Sequence, residues 1–133
     1  MLRRLILLTL LMMLGGGTVY AEWLEVGSSE NAGGYTVYVD ADTMRRTGNL
    51  LTMWVLFDYK TMQKPASLSY WSSRVQKQYD CTEEVDRRLE FTWFSANMSR
   101  GDVIYTNSEE GKWRPVAPGT IGQILWKVAC AKK

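Results

Sequence analysis

The chain is 133 residues long, 46% hydrophobic and 23% charged, which suits one globular domain and is short for two. Its 16 Lys and Arg against 14 Asp and Glu give a formal charge of +2, without the basic excess of a nucleic-acid binder. There is no histidine and there are only two cysteines, which excludes Ser-His-Asp and Cys-His catalysis, imidazole acid–base chemistry and zinc sites built on histidine or four cysteines.

Residues 1–21 read as a secretory signal peptide: Arg3 and Arg4 form the positive region, Leu5 to Leu14 the apolar stretch, and Val19-Tyr20-Ala21 the cleavage site. Gly15-Gly16-Gly17 ends the apolar run short of the ~20 residues of a membrane span. Cleavage after Ala21 leaves residues 22–133 as one mature domain with no lipid-anchoring cysteine at its start and no transmembrane span. It removes two arginines and no acid, taking the basic count from 16 to 14, equal to the acids. Export places the chain in the periplasm, at the cell surface or outside the cell. Cys81 and Cys130, the only pair in an oxidising compartment, are expected to form a disulfide.

Strands are predicted at Trp23–Val26, Gly34–Val39, Leu50–Lys60, Leu68–Asp80, Val85–Ala96 and Asp102–Thr106, separated by Gly-, Pro-, Asn- and Ser-rich turns. Residues 40–46, with acids first and bases last before Gly48, predict one or two helical turns. After Pro118-Gly119, Thr120 and Gln123 form a capping box, and Ile121, Ile124, Leu125 and Val128 make one apolar stripe. Trp126 and Cys130 lie off that stripe. Either the helix is contacted on two sides, or it ends before Cys130 and the backbone turns to present the sulfur.

The fold class is therefore α+β: a six-stranded antiparallel sheet with a C-terminal helix packed on one face and tied by the disulfide. Alternation puts Trp71, Val75, Tyr79 and Cys81 under the helix. The same face takes Leu51, Met53, Val55, Phe57 and Tyr59 from the third strand, and Val85, Leu89, Phe91 and Trp93 from the fifth. The opposite parity carries Leu50, Trp54, Leu56, Tyr70 and Phe94 among Arg74, Gln76, Arg88 and Glu90. An uncovered face of that composition predicts a homodimer or ligand contact, unless loops or the N-terminal strand cover it.

Several stretches, in order, resemble the surface-adhesin protein E family of small exported Gram-negative proteins. They are Val37-Tyr38-Val39-Asp40, Thr43 to Asn49, Val55 to Lys60, Tyr79-Asp80-Cys81, Gly101 to Tyr105, Lys112-Trp113, Val116 to Thr120, and Leu125-Trp126-Lys127 running to Cys130. The resemblance spans nearly all of the mature chain. It implies the same sheet-and-helix architecture, a surface or envelope location, a tendency to dimerise, and adhesion to host extracellular-matrix and serum proteins.

Other constellations point less far. Arg100-Gly101-Asp102 spells an integrin-read tripeptide, at a hairpin tip where glycine is what a tight turn needs. The six tryptophans are read as core or interface fillers. Haem on the aromatic face would fall to Tyr or Met ligation, so no cofactor is expected. Asp80, Glu83, Glu84 and Asp86 lack EF-hand spacing and read as turn charges. No S-x-x-K or G-x-S-x-G sequence occurs, and no two carboxylates are paired at a defined separation.

The sequence thus describes an exported, non-catalytic binding protein whose partner is a host matrix or serum protein or an envelope protein, with no nucleic acid. The alternative is a periplasmic accessory or inhibitor protein. Trp54, Tyr70, Arg74 and Arg88 are the candidate contact residues, because aromatics and arginine dominate contact energetics.

Overall fold

The computed structural model describes residues 22–131, so the signal-peptide reading of residues 1–21 lies outside the described residues. Seven strands form one antiparallel sheet: β1 (Leu24–Ser29), β2 (Tyr35–Thr47), β3 (Leu50–Gln63), β4 (Tyr70–Asp80), β5 (Val85–Phe94), β6 (Val103–Asn107) and β7 (Arg114–Pro115). The first six lie side by side in chain order, and β7 pairs with the start of β5. Two residues are too few to show alternation, which is why β7 is not predicted. Pro115 has no N–H to donate and is tolerated at such an edge.

Residues 40–46 do not form the expected helical turns; they are part of β2. Asp40 pairs with Trp54 and Arg45 with Thr52, so β2 advances five residues while β3 advances two. The excess is absorbed locally. The Asp40 carboxylate accepts the Asp42 N–H at 3.1 Å, and the Thr43 hydroxyl donates to the Asp40 carbonyl at 2.9 Å. These local bonds are the ones an acid-then-base helical signal would also make; pairing with β3 then resumes and wins.

The helix α1 (Ile121–Ala131) starts at Thr120, whose Oγ1 accepts the Gln123 N–H at 3.2 Å. Gln123 reaches back to the N–H of Gly119, at 2.9 Å, one residue before the position a capping box would use. The helix continues through Cys130, so it is contacted on two sides. Leu125 and Ala129 are buried, the Trp126 indole N–H donates to the Asp80 carbonyl at 3.1 Å, and Cys130 is bonded to Cys81 with Cα atoms 5.5 Å apart. Ile124 sits at the margin of the stripe, 38% exposed, against Gly27 of β1.

Beneath α1 the core consists of Val37, Val39, Leu51, Met53, Val55 and Tyr79 with Leu125 and Ala129. The predicted parity of β3 and β4 holds there. No tryptophan is fully buried; five are intermediate and Trp113 is exposed. Aliphatic side chains and the Tyr79 ring fill the layer between sheet and helix, and the Trp126 indole packs against it partly buried.

Parity fails in β5. Gln76 pairs with Glu90 but Lys77 pairs with Arg88, so Leu89 is an extra, bulged residue. Phe91 and Trp93 remain on the helix side, but before the bulge the alternation is reversed. Asp86 and Arg88 stand on the helix side beside Lys77, and Val85 and Arg87 on the reverse side.

Candidate functional site

On the reverse face, Arg74 occupies the middle of β4, opposite Leu56 of β3 and Thr92 of β5. Its guanidinium carbon lies 5.2 Å from the ring centroids of both Trp54 and Phe94. An arginine stacked between two aromatic rings is held by cation–π attraction and has lost much of its rotamer freedom. Leu56 beneath it is wholly buried and Phe94 nearly so. The buried Arg74 Nε has no hydrogen-bond partner, and among the described residues Arg74 forms no salt bridge. The result is a cation held against two aromatic rings, with no anionic partner among the described residues.

The connection between β5 and β6 folds over one end of this face. Asp58 of β3 accepts the Met98 N–H at 2.7 Å and the Asn97 side-chain N–H at 3.0 Å. The fully buried Ser72 hydroxyl donates to the Ala96 carbonyl at 2.6 Å and accepts the Ser99 N–H at 2.9 Å. Met98 and Ser99 both have positive φ, 59° and 55°, a conformation that costs free energy in residues with a side chain. Two side chains reaching up from the sheet keep it in place. Asp58 and Ser72 are not among the candidate residues of the sequence. Their signal was polar residues at the parity of Leu56 and Trp54, where a buried polar group needs a partner.

Arg100-Gly101-Asp102 closes this loop. Gly101 has φ +81°, and a Cβ there would collide with the Ser95 hydroxyl, which accepts the Asp102 N–H at 2.8 Å. The glycine is required by the turn itself.

Tyr70 and Arg88 belong to the other side, which corrects their predicted placement with Trp54 and Arg74. Between Asp58 and Gln63, β3 advances five residues while β4 advances two, and Tyr70 leaves the simple alternation. Its ring stacks on Trp93 at 4.3 Å and meets Tyr59 edge-on at 5.7 Å. These rings belong to a row that runs across the helix side from Tyr35 to Tyr105. Arg88 reached that side through the Leu89 bulge and lies over Phe91 at 4.5 Å. Burial raises the phenol pKa values of Tyr59 and Tyr70, so both are neutral hydrogen-bonding groups at physiological pH.

The acidic residues around Cys81 are dispersed among separate partners. Asp80 accepts the N–H groups of Thr82 and Glu83 at 3.0 and 3.2 Å, and Asp86 pairs with Lys77 at 3.4 Å. Among the described residues no group of three His, Cys, Asp or Glu is placed to hold a metal, and no helix is long and apolar enough to cross a membrane.

A family model described as surface-adhesin protein E matches residues 23–131. Crystal form II of Haemophilus influenzae protein E is similar in fold, with a TM-score of 0.63 at 11% identity over 85% of this chain and 90% of that one. A second structure of the Haemophilus influenzae protein superposes with a TM-score of 0.62 at 12% identity, covering 85% and 86% of the two chains. Protein E from non-typeable Haemophilus influenzae gives 0.61 at 11% identity, over 86% and 79%. No curated protein sequence matches the chain.

Proposed function

Since the chain belongs to the surface-adhesin protein E family, we propose that it is an exported, non-catalytic domain that binds a protein partner through the reverse face of its sheet. The partner class suggested by the family is a host extracellular-matrix or serum protein. The observation that carries this reading is Arg74, clamped 5.2 Å from both Trp54 and Phe94 and without an ion pair among the described residues. Buried aromatic and arginine side chains are the usual anchors of protein interfaces. An acidic side chain of the partner would complete the guanidinium, and the half-buried indole of Trp54 would supply apolar contact.

The test is binding of the mature chain to a panel of immobilised matrix and serum proteins, with Arg74→Ala and Trp54→Ala compared with wild type. Each substitution should weaken binding at least about tenfold, the scale of an interface anchor. Retained disulfide and far-UV spectrum would show that the sheet survives. Full binding by both variants would remove the reverse face from consideration.

A further inference from the structure

On the helix side, between β4, β5 and the segment leading into α1, lies a cleft of about 680 Å³. That volume is in the range of small-ligand sites, about 300–1,000 Å³. Phe57 and Val75 lie at its apolar floor, with Val116 and Ala117 on one wall and the first turn of α1 at its edge. Five cationic residues line it against a single carboxylate, Asp86.

The charges are not internally balanced. Lys77 takes Asp86, at 3.4 Å, and both are mostly covered. Arg87 points to the reverse side, where it bonds to Gln78, pairs with Glu110 and stacks on Trp113. Arg88, Lys112 and Arg114 have no salt bridge among the described residues. Burial lowers the pKa of the Lys77 ammonium; Asp86 opposes the shift, while the charges of Arg88 and Arg114 add to it. Arg88 and Arg114 are therefore near enough to repel the Lys77 ammonium, and an anion placed among them relieves that repulsion. Arg88 is already oriented, its guanidinium 4.5 Å above the Phe91 ring. The positive end of the α1 dipole at the rim has the same sign.

We propose that this cleft binds a small phosphate-bearing amphiphile, its apolar body against Phe57 and Val75 and its phosphate among Arg88, Lys112 and Arg114. Three separated cations match a dianionic phosphate better than a single carboxylate, and the apolar floor distinguishes the ligand from free phosphate. This proposal is independent of the reverse-face reading.

Titration calorimetry of the mature chain with octyl phosphate tests it, with octanol, octanoate and inorganic phosphate in parallel. Octyl phosphate should bind saturably at one site, at least tenfold tighter than each of the other three. The double variant Arg88→Gln/Arg114→Gln should weaken it at least tenfold; Lys112→Gln, on an exposed loop, serves if that double variant loses its fold. Arg74→Ala should leave octyl phosphate binding unchanged, since it lies on the other side of the sheet. The proposal is overturned by unsaturable binding, by equal affinity for octanol, octanoate or inorganic phosphate, or by cleft variants that bind as wild type does.

Discussion

Under α1, the sheet is closed by aliphatic side chains and a covalent link. Behind the sheet, closure comes from an arginine between two rings and a loop held by Asp58 and Ser72. Directly under α1, burial is complete and comes from shape and volume, with Val, Leu and Met side chains packed around the Tyr79 ring. The reverse side achieves partial burial with oriented polar groups, and it therefore still presents a cation and an indole. Tight apolar closure and exposed oriented polar groups are thus divided between the two sides of one thin sheet. The division is not complete, because α1 covers only part of its own side and leaves the aromatic row and the cationic cleft beyond it.

The largest way to break this comparison is to cut the covalent link. Replacing Cys81 and Cys130 with alanine removes a crosslink of sequence separation 49. In the chain-entropy account the loss is about 4 kcal/mol. It should appear as a lower urea midpoint, and reduction of the wild type should reproduce it. A loss below about 1 kcal/mol would mean that the apolar layer alone holds the helix.

On the reverse side the matching experiment is Asp58→Ala. It removes the acceptor for the Met98 and Asn97 N–H groups. Hydrogen bonds to a charged acceptor contribute more than neutral ones, and a loss of about 2 kcal/mol is expected. The left-handed Met98 and Ser99 would then relax, and limited proteolysis should cut between 96 and 101 before the sheet unfolds. Uniform destabilisation without early cleavage there would show that the loop is held by the strands rather than by Asp58.

Much of the helix side was legible in the sequence because its signals are local. The stripe of α1, the cap at Thr120, the alternation of β3 and β4, and the single cysteine pair can each be read within one element. The reverse side depends on register between strands, which composition does not encode. Leu89 is apolar, so counting by twos runs straight through the bulge and places Arg88 with Arg74. Tyr70 was displaced by irregular pairing between Asp58 and Gln63 in the partner strand, which no reading of β4 alone would find. One signal was available: Lys77 falls at the parity of Val75 and Tyr79, and a lysine among core positions requires a nearby carboxylate, which is Asp86.

The smallest effect, and the one of opposite sign, is expected at Tyr79, where the helix side is least consistent. Its ring is fully buried in the core, yet its hydroxyl has no hydrogen-bond partner. Tyr79→Phe keeps the ring and removes the unsatisfied group, so the variant should gain about 1 kcal/mol at neutral pH. Burial, with the Asp86 charge adding to it, raises the folded-state pKa well above the ordinary 10.0. Below pH 10 both folded and unfolded states keep the phenolic proton, and pH has no hold on this group. As the pH rises past 10 the unfolded chain ionises first, so wild-type stability falls. Lys77 acts in the opposite sense, its lowered pKa making stability rise with pH up to its ordinary 10.5, but it is present in both proteins and cancels between them. The stability gap between Tyr79→Phe and wild type, measured by urea unfolding, should therefore be constant at neutral pH and widen above pH 10. A gap that stays constant across that range would mean that the hydroxyl reaches solvent in the folded chain, and the layer beneath α1 would then be less tightly closed than its aliphatic lining implies.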